Sequence, residues 1–245
     1  MKIIDILGTP LAATTYDELT EHCHDLARLG GTWAIDLTNT QIITMRRHEA
    51  WFREATRHFD LFVPDGMPLI WTLNRRGADL NDRVYGPTFM RRCIFRSPTP
   101  WKHYFLGGSE ECLDRLRERL LAECPTLQIV GMRNGYFQAG EEEGIVTEIN
   151  ALDPDFIWVG LGTPKQQEWI HRHKEAIKRG VILAVGFAFD VNAGTKADAP
   201  FWMQRHGLTW VFRILREPRR LLGRYLRYNS LFIFYLVRDT FRARA

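Results

Sequence analysis

Five stretches of this chain are mainly apolar without alternating with polar residues: Trp33–Leu37, His103–Leu106, Leu127–Val130, Phe156–Leu161 and Val181–Phe187. A strand with one face in water alternates, whereas a strand covered on both faces does not, and both-face cover is the habit of parallel sheets. Each run is followed by a turn containing Gly or polar residues and then by an amphipathic stretch. The clearest of these is Ser109–Ala122, where Ser109 is a natural N-cap, Glu110 and Glu111 suit the positive end of a helix, and Pro125 lies just past the end. The pattern predicts an α/β fold: a Rossmann-like, mostly parallel sheet flanked by helices. No long linker or repeat interrupts it, and the expected division is a catalytic body over 1–200 and a helical appendage over 201–245.

In such sheets ligands bind beyond the carboxyl ends of the strands. Residues directly after an apolar run are therefore the functional candidates. Gly107 and Gly108 join a run to the Ser109 cap, where free N–H groups can hold a phosphate, although an ordinary tight turn has the same composition. Gly162, followed by Pro164, Lys165, Gln166 and Gln167, opens another helix, and a Gln there can bond sugar hydroxyls or a base edge without adding charge. Gly186 and Asp190 follow the last run, and a carboxylate in that place accepts ribose hydroxyls or caps a helix equally well. Thr38 and Asn39 follow the first run and fit either ligand contact or capping. Asp65 sits between Pro64 and Pro68 in an apolar setting. Partial burial there raises a carboxylate toward the range of a useful base, while an Asx turn accounts for the same residues. Arg83, before the Tyr85-Gly86-Pro87 turn, suits a phosphate, a carboxylate or a surface ion pair.

Other signals point away from particular chemistries. Neither GxGxxG nor GxxxxGK[ST] occurs, so no nicotinamide or P-loop cofactor is expected, and a cofactor-free, metal-independent site is favoured. Asp153-Pro154-Asp155 precedes its run and reads as a turn, and the His22/His24 and His171/His173 pairs have poor chelating spacing for a helix. Cys23, Cys93, Cys112 and Cys124 form no CxxC and suggest free thiols in a reducing compartment. The N-terminus does not have the pattern of a signal peptide, and the longest apolar run, Leu231–Val237, is far too short to span a bilayer.

Charge is distributed unevenly. The chain carries a formal +4, but residues 201–245 hold ten Arg, no Lys and two acids, Glu217 and Asp239, a local +8 that leaves the first 200 residues at −4. Arg213, Arg216, Arg220, Arg224 and Arg227 step by three or four among Phe, Leu and Tyr, with Arg219 beside them. Such a segment suits an anionic membrane surface, and Arg also suits a ligand's diphosphate; nucleic acid would need a reading motif, which is missing.

Taken together, the segments resemble the WecG/TagA/CpsF family of bacterial glycosyltransferases, glycosyltransferase family 26. The matching stretches run in order: Asn39, Pro64–Pro68, Arg83-Val84-Tyr85-Gly86, Phe105–Gly108, Asn134-Gly135-Tyr136-Phe137, Gly160–Gln166, Val185–Asp190, Ala199-Pro200, and Gly207–Trp210 with Arg213, Glu217, Pro218 and Arg219. The family usually has Thr where this chain has Leu37, and Glu where it has Gln167 and Thr209. The resemblance implies an inverting, metal-independent transfer from a UDP-sugar donor to a sugar on a polyprenyl diphosphate, in cell-surface polysaccharide synthesis. It places the enzyme peripherally on the cytoplasmic face of the bacterial membrane. It implies Asp65 as base, Asn39, Arg83 and Gln166 as pocket residues, and a basic C-terminal appendage that completes the active site. Read from the residues, the expected substrate set adds Thr38, Gly86, Gly107, Gly108, Tyr136, Gly162, Gly186 and Asp190, with Arg213, Arg216, Arg219 and Arg220 as candidates to hold a diphosphate. A homo-oligomer is compatible with this sequence, and the other class the residues permit is a non-catalytic nucleotide-binding protein on the membrane surface.

Overall fold

The computed structural model describes residues 1–97 and 99–242. The chain begins with a hairpin, β1 (Lys2–Ile6) and β2 (Thr9–Ala13), then runs through α1 (Tyr16–Leu29), β3 (Thr32–Thr38), α2 (Thr40–His48), α3 (Ala50–Ala55), β4 (Leu61–Pro64), α4 (Met67–Arg75) and α5 (Gly86–Phe95). It continues with β5 (Lys102–Gly107), α6 (Glu110–Glu123), β6 (Gln128–Arg133), α7 (Glu142–Leu152), β7 (Phe156–Gly160), α8 (Lys165–His173), β8 (Gly180–Ala184) and α9 (Ala188–Ala193). Three helices close the chain: α10 (Phe201–Arg205), α11 (Thr209–Arg216) and α12 (Pro218–Arg242).

The strands form a single sheet in the order β1-β2-β4-β3-β8-β7-β5-β6, parallel except for the β1–β2 pair at its edge. The mostly parallel α/β architecture expected from the apolar runs is therefore present. Strand residues feed two cores in strict alternation. Phe156, Trp158, Val181 and Leu183 pack with Leu113, Leu116 and Phe89 on one face, while Ile157, Val159, Ile182 and Ala184 pack with Ile149, Trp169 and Ile70 on the other. Both faces are covered, which is why these strands carry no polar stripe.

The run over Val181–Phe187 is strand only to Ala184, because Gly186 then turns at φ +52° and Ala188 begins α9. The hairpin and the four-residue β4 did not stand out as apolar runs. β1 alternates in burial, as an edge strand does, and β4 is too short to show a period. The helix expected over Ser109–Ala122 spans Glu110–Glu123, with Ser109 Oγ accepting from Cys112 N–H.

The crossover from β5 leads outward to β6, and that from β7 leads inward to β8, so connections diverge between β5 and β7. Gly107 and Gly160 are register partners at the ends of those strands. Gly107 lies at φ +136°, and a Cβ there would sit 2.4 Å from the Gly160 carbonyl carbon. Only glycine lets the two backbones meet at this divergence, where α/β sheets place their ligands.

The basic segment wraps back over the carboxyl edge. The long α12 lies on α2: Thr44 Oγ1 donates to the Tyr228 carbonyl (3.3 Å), Thr40 Oγ1 to Asn229 Oδ1 (2.9 Å), and Tyr228 OH to Glu49 (2.8 Å). Leu221, Tyr228, Phe232 and Tyr235 are buried by this packing. Residues 243–245 of the expected appendage lie outside the described residues. Among the described residues no helix is long and apolar enough to cross a membrane.

Candidate active site

One cavity of about 1020 Å³ opens at the carboxyl edge of the sheet, lined from β3, β4, β7 and β8 ends, from α4 and from the C-terminal segment. At its wall stands Asp65. The Pro64-Asp65-Gly66 turn is pinned by two main-chain bonds, Asp65 N–H to the Thr38 carbonyl (2.7 Å) and Val84 N–H to the Pro64 carbonyl (2.9 Å). α4 starts immediately after, with Pro68 in its first turn. The backbone that carries the carboxylate is thereby fixed, and its Oδ1 is shielded without a hydrogen-bond partner.

Burial raises the Asp65 pKa from 3.8 to about 7. The Arg83 guanidinium, the Gly86 N–H and Arg213 pull it down, and Asp36 pushes it further up. Arg83 is itself buried, stacked 4.1 Å over the Tyr85 ring. Its Nη2 donates to Thr209 Oγ1 (3.2 Å) and Gln204 Oε1 (3.4 Å), two neutral acceptors from the C-terminal segment. Gln204 is held in turn by Asp198, which also accepts from Tyr85 OH (2.6 Å). A buried cation with only neutral acceptors leaves its field to act on the nearby carboxylate.

Beneath Asp65 lies a second acid. Asp36 is fully buried, accepts from Thr38 Oγ1 (2.5 Å) and Gln167 Nε2 (2.7 Å), and is raised to about 6 chiefly by desolvation.

Around the cavity the structure brings together Asn39, Asp65, Arg83, Gly108, Tyr136, Gly162, Gln166, Gly186, Asp190, Arg213 and Arg220. Asn39 does both jobs its sequence position allowed, since it lines the cavity and its Oδ1 caps α2 through Ile42 N–H (3.2 Å). Gln166 accepts from the Gly162 N–H (3.2 Å), which ties the glycine turn to α8. Tyr136 stands at the rim, 83% exposed. Asp190 is neighboured by Lys196 Nζ at 3.6 Å.

Thr38, Gly107, Arg216 and Arg219 do not line the cavity, and Gly86 meets the site only through its N–H, which donates to the Asp65 carboxylate. Thr38 points into the Asp36 network, Gly86 and Gly107 shape the backbone behind the wall, and Arg216 and Arg219 face solvent. Gln167, expected with Gln166 near the binding edge, faces the core under Asp36 because one step along a helix turns the side chain by roughly 100°. Asp155 binds the Lys102 N–H and Arg179 at the far end of the sheet, in keeping with a turn.

Arg224 and the Asp198–Gln204–Thr209 set were not singled out. Arg224 had a signal, its place in the three-four spacing of arginines, whereas the Gln204 and Thr209 contacts join residues more than a hundred positions from Arg83. Arg213, stacked 4.2 Å over Phe187, and Arg224 each keep a buried Nε with no partner. No group of three or more metal-type side chains assembles among the described residues.

Two kinds of comparison bear on this site. A family model described as the glycosyl transferase WecG/TagA/CpsF family matches residues 4–245. The N-acetylglucosaminyldiphosphoundecaprenol N-acetyl-beta-D-mannosaminyltransferase of Staphylococcus aureus strain MW2 is 27% identical over 221 residues, covering 89% of this chain and 86% of the relative. The protein of the same name from strain MRSA252 matches to the same extent. With a match over nearly its whole length, the chain belongs to the WecG/TagA/CpsF family and is a glycosyltransferase.

Proposed function

We propose that this enzyme transfers a sugar from a UDP-sugar to a sugar carried on a polyprenyl diphosphate, with inversion and without a metal ion, in the synthesis of a cell-surface polysaccharide. The observation that carries the reading is Asp65: a shielded carboxylate oxygen without a partner, raised to about 7, facing a cavity bordered by Arg213, Arg220 and Arg224. A general base works best when its pKa lies near the working pH. In the proposed step the acceptor hydroxyl gives its proton to Asp65 and its oxygen bonds the anomeric carbon. The bond from that carbon to UDP breaks on the opposite face, and its electron pair goes to the diphosphate. Guanidinium groups and the amide-rich starts of α6 and α8 stabilise the charge that develops there. The relatives' name, with its diphosphoundecaprenol acceptor, supports the acceptor class.

The C-terminal segment supports a place on the inner face of the cell membrane. Phe201, Trp202, Leu215, Leu222 and Leu226 are exposed beside Arg205, Arg216, Arg219 and Arg227. Apolar side chains interleaved with Arg bind anionic lipid surfaces, at about 1 kcal/mol per charge. On this reading 1–200 is the catalytic body and 201–245 the membrane-associated appendage. The test is a panel of UDP-sugars with a short-chain lipid-linked N-acetylglucosaminyl diphosphate acceptor in EDTA. Product is expected with one donor; strict dependence on added divalent metal would overturn the mechanism, and UDP affinity without product would leave only a binding protein.

A further inference from the structure

The cavity does not end at the polar site. It continues as a mainly apolar trough between one face of α4, carrying Met67 and Trp71, and one face of α12, carrying Tyr225, Ile233 and Leu236, with Arg75 and Asn229 also in its lining. The spacing explains the shape. Met67 and Trp71 are one turn apart on α4, and Tyr225, Ile233 and Leu236 recur at intervals that share a face of α12. These walls line a concavity, yet they are not sealed: Trp71 is 47% exposed and Ile233 is 61% exposed. Apolar walls left open in a deep groove favour an apolar occupant.

Charge defines which one. The same cavity is lined by Arg213 and Arg224, whose buried Nε groups lack partners. Buried guanidinium N–H groups without acceptors favour a multiply charged oxyanion beside the trough. Beyond the trough, on the rest of the circumference of α12, Phe234, Val237 and Phe241 are exposed and give the helix a second apolar face.

We propose that the α4–α12 trough is the binding site for the first isoprenoid units of the lipid-linked acceptor, entered along α12 from the membrane, with the acceptor's diphosphate next to Arg213 and Arg224. This rests on the acceptor class given above and adds where its lipid chain lies. Trp71 and Ile233 touch the chain and not the reacting sugar. They govern chain recognition, so their loss acts on KM for a lipid acceptor and spares an acceptor without a chain.

The test compares N-acetylglucosaminyl diphosphate bearing a farnesyl chain with the same compound bearing a methyl group, in buffer free of vesicles and detergent. The native enzyme should favour the farnesyl acceptor in kcat/KM by about a hundredfold, and Trp71→Ala and Ile233→Asn should each reduce that preference about tenfold through KM. Ile233→Leu should keep it, and unchanged kcat/KM for the methyl acceptor shows that each variant is folded. Equal use of both acceptors by the native enzyme, or equal losses on both in the variants, overturns the trough while leaving the transfer reaction standing. Absence of transfer to either acceptor overturns the functional reading and the trough with it. Conversion of a dimer to a monomer by Ile233→Asn would make the trough a contact between copies and would also overturn the proposal.

Discussion

Replacing Asp65 with Asn should abolish transfer and at the same time make the protein more stable at neutral and alkaline pH. The carboxyl is raised from 3.8 to about 7 by burial, so the folded state holds its proton more tightly than the unfolded chain does. Stability attached to this group is therefore fully present below the unfolded pKa, declines as pH rises through the interval up to about 7, and is flat above it. A displacement of about three units corresponds to about 4 kcal/mol withheld from the ionised fold. Asn has nearly the same shape and no charge, but it brings an NH2 donor to the place where Asp65 Oδ1 has no partner, beside two guanidinium groups, which costs about 1–2 kcal/mol. The net gain at pH 8 is about 2–3 kcal/mol, or a rise in Tm of about 5–10 °C for a chain of this length. At pH 4 the native carboxyl is largely protonated in the fold, so the gain should vanish and the donor penalty alone remain. Thermal melts of both proteins at pH 4, 6 and 8, with transfer measured in parallel, check this. Transfer should fall by about a thousandfold, the range of a lost general base. A variant that melts at or below the native temperature at pH 8, or whose gain is the same at pH 4, refutes the account of Asp65 as a desolvated base.

Three further outcomes follow from the same geometry. Native kcat/KM should rise with pH through an apparent pKa near 7, and Arg83→Gln should move that midpoint upward by about one unit, because Arg83 is the largest influence holding Asp65 down. Its activity deficit should then be several-fold at pH 7 and small at pH 9, and a deficit that does not shrink with pH would assign Arg83 to substrate contact alone. Gly107→Ala should lower stability by about 3 kcal/mol or prevent folding, since the new Cβ meets the Gly160 backbone at 2.4 Å and the residue sits at φ +136°; a Tm within a few degrees of native would contradict the close approach of β5 and β7. Neutralising the exposed Arg216 and Arg219 to Gln should weaken partition into anionic vesicles about thirtyfold without affecting neutral ones, and equal binding to both vesicle types would remove those arginines from the lipid surface.

The sheet was legible because burial on both faces writes itself as unbroken apolar runs, and a run such as Phe156–Leu161 admits few other structures. The edge hairpin and β4 were not, since a half-wet strand and a four-residue strand leave no such trace. Within the site, the sequence located loops and not side-chain directions. Thr38 and Asn39 are neighbours, but the end of β3 sends the first into the Asp36 network and the second to the cavity. Gln166 and Gln167 divide in the same way at the start of α8. Among the arginines, Arg213, Arg220 and Arg224 reach the cavity while Arg216 and Arg219, flanking the break between α11 and α12, do not. No spacing rule links Arg83 to Gln204 and Thr209, because that contact exists only once the C-terminal segment folds over the body.

That contact bears on what the basic segment is for. An anchor alone would leave chemistry in solution intact, but deleting the segment cannot decide the matter, because Leu221, Tyr228, Phe232 and Tyr235 are part of the buried core. Arg213→Gln separates the roles. Arg213 stacks on Phe187 and lines the cavity, so its charge acts on Asp65 and on any anion held there. With the charge removed, Asp65 becomes harder to ionise and the acceptor's diphosphate loses the cation beside it, which together should lower transfer to the methyl-bearing acceptor by about ten- to a hundredfold. Vesicle binding should not change, because the guanidinium faces inward. The opposite pattern, weaker vesicle binding with undiminished transfer in solution, would make the segment an anchor and remove it from the active site.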